Sequence, residues 1–203
     1  MGISERKERE KIELRQSILQ AAKDLFVANG YDKVSIRNIA ERVEYSPATI
    51  YLYFKDKDDI LLAVHDDAFR KLFVTLEPLR GIENPLDRLR EMGRIYLQFA
   101  FENQDLYDLM FIMREPMNAI CRDEEEWEEG FNSYYLLRNT IQEAVDKKLL
   151  RNDNVDIMTV TTFAQVHGLA SLHIRGRFKM LPAESVETII YQAVEYVISL
   201  MSA

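Results

Sequence analysis

Apolar residues recur along this chain at three- and four-residue intervals, and no stretch alternates apolar with polar for long enough to predict a strand. From about Glu10 to Ala28, the residues Leu14, Ile18, Ala21, Ala22, Leu25 and Phe26 form one helical stripe, closed by the Asn29-Gly30 stop. Residues 1–11 mix charges without an apolar period and predict either a disordered arm or an extension of that first helix. Ser35 is a capping residue, and Ile36, Ile39, Ala40 and Val43 then fall at i, i+3, i+4 and i+7. Glu44 and Tyr45 interrupt the pattern. Ser46 and Pro47 restart it with a capping hydroxyl and a residue whose fixed φ suits a first helical position. Ile50 and Phe54 face inward from there, which leaves Pro47, Ala48, Thr49, Tyr51 and Tyr53 outside. Two short helices across a tight turn, the second exposing small, hydroxylic and aromatic side chains, form the pattern of a helix-turn-helix.

The rest of the chain also reads as helical. A fourth helix starts at an Asp56 cap and runs to about Leu76, where Pro78 stops it. Further helices are predicted at Pro85–Glu102, Gln104–Met113, Glu124–Lys148, Val155–Ile174 and Ala183–Met201. Asn84-Pro85, Asn103 and Asp153 mark starts, and Pro116–Ile120 adds a short piece. The last helix carries the seam Val186, Ile189, Ile190, Ala193, Val194, Val197, Ile198 and Met201. The helix before it offers the small residues Ala164, Gly168 and Ala170. Such a pair could pack within one chain, or join its copy in a four-helix interface. The predicted fold class is all-α, with a helix-turn-helix domain over residues 1–60 and a helical ligand-binding and dimerisation bundle over 61–203.

The run from Ile18 to Leu61 resembles the DNA-binding domain of the TetR family of bacterial repressors. The matching pieces are Ala21-Ala22, Leu25-Phe26, Gly30-Tyr31, Ser35, Ile39-Ala40, Ser46, Thr49, Tyr51, Tyr53-Phe54 and Lys57. Glu44 stands where the family usually has Gly, a departure that costs on the order of 1 kcal/mol if its φ is positive. That departure keeps open a helical ligand-binding or interaction module without DNA binding. The resemblance implies a DNA-facing set of Ser35, Arg37, Ser46, Pro47, Ala48, Thr49, Tyr51, Tyr53 and Lys57. Within it, Thr49, Tyr51, Tyr53 and Lys57 match positions that hold phosphates or line the groove, and Arg37 a position that can reach a base. Pro47 and Ala48 are small and apolar, suited to thymine methyls. Lys57 falls in the first turn of a helix, where the dipole disfavours a cation and a neighbouring phosphate would account for it.

Charge changes this picture less than it first suggests. The 203-residue chain carries a net −8. Residues 1–65 hold eleven basic and eleven acidic side chains, whereas residues 66–203 hold fifteen and twenty-three. The acidity lies outside the helix-turn-helix and would repel DNA from the wrong surfaces. A single cysteine, Cys121, excludes an intramolecular disulfide, and no apolar run reaches the length of a membrane span. A cytoplasmic protein is expected.

Between Tyr96 and Tyr135 lies a dense set of aromatic and methionine residues of the kind that lines apolar ligand pockets. Because the resembled family places an effector site there, the candidates are Phe99, Tyr107, Met110, Phe111, Arg114, Trp127, Phe131, Tyr134 and His167, with Gln165 as a further polar group. Phe163-x-x-x-His167-Gly168 is similar to the Trp-x-x-x-His-Gly pattern of one TetR subgroup, with Phe for Trp. Enzyme chemistry finds no foothold: there is no Glu-x-x-His pair, phosphate-binding loop, nucleophile elbow or Cys/His zinc spacing. No cofactor or metal is expected. The implied function is a ligand-responsive transcriptional repressor. It would bind a palindromic operator as a homodimer through its last two helices, and answer to a small apolar effector.

Overall fold

The computed structural model describes residues 3–117, 127–151 and 154–202. Among these there are nine α-helices and no named strand. They are α1 (Ile3–Asn29), α2 (Ile36–Arg42), α3 (Pro47–Ile50), α4 (Lys57–Leu76), α5 (Pro85–Glu102), α6 (Gln104–Phe111), α7 (Glu128–Asp146), α8 (Val155–Ile174) and α9 (Val186–Met201). Short 3₁₀ turns at Tyr31–Lys33, Glu77–Gly81 and Ala183–Ser185 connect some of them. No helix among the described residues is long and apolar enough to cross a membrane.

Several boundaries differ from the sequence expectation, each for a local reason. The first helix begins at Ile3, not near Glu10, so residues 3–11 extend α1. Ion pairs one turn apart, Arg6–Glu10 at 2.7 Å and Arg9–Glu13 at 3.7 Å, support that polar stretch. The second helix of the motif closes after only four residues. Leu52 and Tyr53 donate backbone hydrogen bonds to Thr49 and Ile50, three residues back, so Tyr51–Tyr53 finish the segment as turns. Asn154, not Asp153, caps α8, its side chain accepting from the amides of Asp156 and Ile157. Asn103 closes α5 by donating to the Phe99 carbonyl. α7 stops at Asp146 because Lys148 takes a left-handed φ of 57°. Most of the expected Pro116–Ile120 piece, and the predicted start of α7 at Glu124, lie outside the described residues.

The chain divides into two compact units. The first comprises residues 1–68 and 105–127, the second 69–104 and 128–203. In the first, Ile18, Leu19, Ala22 and Phe26 of α1 pack with Ile39 and Ala40 of α2, Ile50 of α3, Phe54 of the following turn, Ile60, Leu61 and Val64 of α4, and Leu109 of α6. One stripe of each helix enters this core, as the sequence period requires.

In the second unit α5 is the hub, packed against α7, α8 and α9. Gly93 makes one of these contacts possible, since a Cβ there would sit 2.7 Å from Cγ1 of Val194 on α9. Arg88 is nearly buried. It donates through Nε and Nη2 to the Ile82 carbonyl, and through Nη1 to Glu143 of α7 at 2.7 Å. Hydrogen bonds from Lys147 and Arg88 hold the Glu143 carboxyl below the usual carboxylate range. Ile190, Val194 and Ile198 of the predicted α9 seam are buried within this unit, while Ile189 is exposed. One stripe therefore serves the core and the adjacent positions face outward.

Candidate nucleic-acid interface

The turn between α2 and α3 sets the motif. Ser35 caps α2 with a reciprocal pair: its Oγ accepts from the Asn38 amide at 3.2 Å, and its own amide donates to Oδ1 of Asn38 at 3.0 Å. At the other end, the Tyr45 amide donates to the Ala40 carbonyl at 2.9 Å and the Glu44 amide to the Glu41 carbonyl at 3.3 Å. These are the two bonds of a Schellman motif, which needs a left-handed residue at its C′ position. Glu44 fills that position at φ 61°. The conformation that glycine would adopt freely is therefore reached here by a glutamate, at a cost of about 1 kcal/mol.

Ser46 then starts α3. Its Oγ accepts from the Thr49 amide at 3.2 Å and shares a hydrogen bond with the Thr49 hydroxyl at 2.9 Å. Pro47 occupies the first turn. Ile50 and Phe54 are buried, whereas Pro47, Ala48 and Tyr51 are exposed, Tyr51 at 57%. Thr49 and Tyr53 are half-buried, and Tyr53 packs against the head core. Leu52, which the sequence reading left out, is 79% exposed at the same end. Its position between the two tyrosines, off the Ile50–Phe54 stripe, was the available signal. Arg37 is exposed on α2 and pairs with Glu41 at 3.2 Å. Arg15 of α1 lies over the Phe54 ring, 5.1 Å from its centroid.

Lys57 has a role the sequence did not reveal. Its Nζ donates to the Tyr31 carbonyl at 2.9 Å and stands 3.8 Å from the centre of the Tyr31 ring. The Tyr31 hydroxyl in turn donates to Asp58. The cation at the start of α4 thus ties down the turn that follows α1. Asp56 caps α4 as expected, accepting from the Asp59 amide at 2.9 Å.

The expected effector residues are distributed over both units. In the first, Tyr107 and Met110 are buried, Phe111 is half-buried with its ring 5.2 Å from that of Tyr107, and Arg114 is exposed. The Trp127 ring lies tilted, 5.2 Å from that of His65, a fully buried residue of α4. In the second, Phe99 is buried, Tyr134 half-buried and Phe131 exposed, its ring stacked on Tyr135 at 5.9 Å. His167 stands 5.6 Å from the Phe163 ring, and its Nδ1 lies 3.2 Å from the hydroxyl of Tyr96, a partner the sequence reading did not assign. Desolvation, with a smaller contribution from Arg175, lowers the His167 pKa below the ordinary histidine value and so favours the neutral ring. Gln165 donates to the Ala193 carbonyl at 2.7 Å and spends its amide on helix packing. The first unit also holds an open cleft of about 440 Å³ lined by Phe26, Tyr31, Asp32, Asp105, Asp108 and Met113 among others.

Comparison with known proteins agrees with this geometry. Residues 18–64 match the model for bacterial regulatory proteins of the tetR family, and residues 89–196, over half the chain, match the tetracyclin repressor-like C-terminal domain. The transcriptional regulator TcmR of Streptomyces glaucescens is 33% identical over 99 residues, covering 47% of this chain and 41% of TcmR. The chain thus aligns to less than two thirds of that relative's length. A structure from Rhodococcus sp. RHA1, of unknown function, superposes with a TM-score of 0.74 at 21% identity, covering 94% of this chain and 96% of that one. The fatty acid degradation regulator FadR of Bacillus halodurans gives 0.73 at 15% identity, covering 93% and 94%. At these identities the two structures speak for the fold alone.

Proposed function

This chain belongs to the tetR family of bacterial regulatory proteins, and from that premise we propose that it is a DNA-binding transcriptional repressor that works in the cytoplasm as a homodimer and catalyses no reaction. The observation that carries the reading is α3. Ser46 caps it and Ile50 anchors it, and it turns Pro47, Ala48, Thr49 and Tyr51 away from the head core. Small apolar residues and hydroxyls on a short rigid element suit the floor and walls of a major groove. Residues 1–60 form the reading head, in which Thr49, Tyr51 and Tyr53 line the groove or hold phosphates and Arg37 reaches a base edge. Lys57 meets a phosphate from its place on Tyr31.

Residues 61–203 pair two chains and bind the effector. The exposed apolar residues of α8 and α9 support an interface between copies, because large apolar patches on a surface mark association sites. Two heads related by a two-fold then meet the half-sites of a palindromic operator. The effector is a small apolar molecule, and its candidate contacts are Tyr107, Met110, Phe111, Arg114 and Trp127 in the first unit and Phe99, Phe131, Tyr134 and His167 in the second. It binds one dimer arrangement better than the other and shifts the population. α4, continuous from Lys57 to Leu76, changes the separation of the heads. The neighbouring rings of Phe163 and His167, 5.6 Å apart, support placing the C-terminal half with the Trp-x-x-x-His-Gly subgroup.

A gel shift with the promoter DNA flanking its own gene tests the reading. Binding at low salt that weakens steeply as salt rises is the expected result. No binding to that DNA at any salt concentration would overturn it.

A further inference from the structure

The N-terminal half of α1 carries a charge pattern that the head itself does not need. Lys7, Lys11 and Arg15 follow one another at i, i+4 and i+8, so they form a single row, about 6 Å apart along the helix axis. The row continues a face with a known occupant: Lys7 and Lys11 each precede by seven residues a side chain of the head core, Leu14 and Ile18. The face that packs against the head from Leu14 onward therefore becomes basic before it, where Lys7 and Lys11 are exposed and make no ion pair among the described residues. Arg6 and Arg9, off this row, are neutralised by Glu10 and Glu13, and Glu8 flanks the row without pairing to it. Like charges one turn apart destabilise a helix in isolation. At its inner end Arg15 lies over the ring of Phe54, four residues beyond the end of α3.

We propose that this row is a second DNA contact, in which Lys7 and Lys11 neutralise backbone phosphates of the duplex just outside the part read by α3. The proposal rests on the DNA-binding reading and extends it: α1 acts as a rigid helical rail along the flank, not as a flexible arm in the minor groove. Its spacing of about 6 Å is close to two steps of about 3.4 Å between charges on one strand. The cations that make no ion pair among the described residues, the approach of the row to Phe54 just after α3 and the pairing of Arg6 and Arg9 with glutamates all point to a polyanion as the occupant.

The test uses the full-length chain and a duplex enriched from a random pool by that chain. The duplex is prepared in two lengths, trimmed to the protected core or extended by one helical turn, about 10 bp, on each side. On the extended duplex, Lys7→Gln with Lys11→Gln should flatten the salt dependence by about two units per half-site, while Lys7→Arg with Lys11→Arg keeps the wild-type slope. On the trimmed duplex, wild type and the Gln variant should coincide. Equal slopes on the extended duplex, with Tyr51→Ala still losing binding, would overturn the rail and leave the DNA reading standing. Equal losses on both lengths would put the lysines over the core and overturn the assignment to flanking DNA. If the wild type enriches no duplex at low salt, the DNA reading falls and takes this inference with it.

Discussion

The outward face of α3 and that of α8 are both exposed, and both are poor in formal charge: α3 has none, and α8 has no Asp, Glu, Lys or Arg between Asp156 and Arg175, whereas α9 carries Glu187 and Glu195. Their chemistry nevertheless differs. The α3 segment shows hydroxyls and small residues over four helical positions and a turn. α8 shows Ile157, 64% exposed, Val160, 57% exposed, and Leu172, on a helix that also buries Met158, Val166 and Ala170. α9 adds Ile189, Tyr196 and Leu200 opposite Ile190, Val194 and Ile198. Within the second unit α8 packs against α5, α7 and α9, and Ile157, Val160 and Leu172 lie outside those contacts. The uncharged surface with hydrogen-bonding groups suits a polar, wet partner such as DNA. The more apolar one suits a second copy.

The largest expected effect separates these surfaces at once. Ile157→Glu with Val160→Glu should weaken self-association by more than about 100-fold, because uncompensated carboxylates would be buried in the interface. Sedimentation equilibrium reads this, and an unchanged dimer would remove α8 from the interface. Next comes the support beneath that surface. Gly93→Ala should cost about 1–3 kcal/mol in urea denaturation, since the new methyl overlaps Val194, and Val194→Ala should recover most of it. A Gly93→Ala protein as stable as wild type would mean that α5 and α9 are not held this close.

On the α3 side, Tyr51→Ala should lower DNA affinity about tenfold, roughly 1.4 kcal/mol, with no change in denaturation midpoint, because the exposed ring supports nothing in the head. Lys57→Ala sharpens the contrast. The sequence alone suggests it would spare stability. The bond to the Tyr31 carbonyl predicts a loss of about 1 kcal/mol as well as weaker DNA binding. The smallest effect has the opposite sign. Glu44→Gly should stabilise the head by up to about 1 kcal/mol, read as a higher melting temperature, because glycine enters the left-handed region without strain. A lower melting temperature would show that the Glu44 side chain contributes something its backbone strain conceals.

Local chemistry decided much of this protein, and it was legible residue by residue. Ser35, Ser46 and Asn84 cap helices because a short polar side chain can reach the free amides of the turn it precedes. The stripe from Leu14 to Phe26 and the inward pair Ile50–Phe54 follow from helical periodicity, and the break at Glu44–Tyr45 could be read directly. These depend on residues within about one turn of each other, so the sequence carries them. Boundaries in polar stretches were less legible: α1 reaches back to Ile3 on ion pairs that no apolar period announces.

What needed the tertiary structure is everything that joins distant positions. Lys57 meets Tyr31 across 26 residues, Arg88 meets Glu143 across 55 and Tyr96 meets His167 across 71. No spacing rule links such pairs. The same limit applies to the α9 seam, where Ile189 and Ile190 look alike in sequence and only packing against α5 buries one and exposes the other. A side chain's own chemistry says what kind of neighbour it tolerates. Which neighbour it receives is settled by how helices far apart in the chain close on each other, and that is a property of the assembled core.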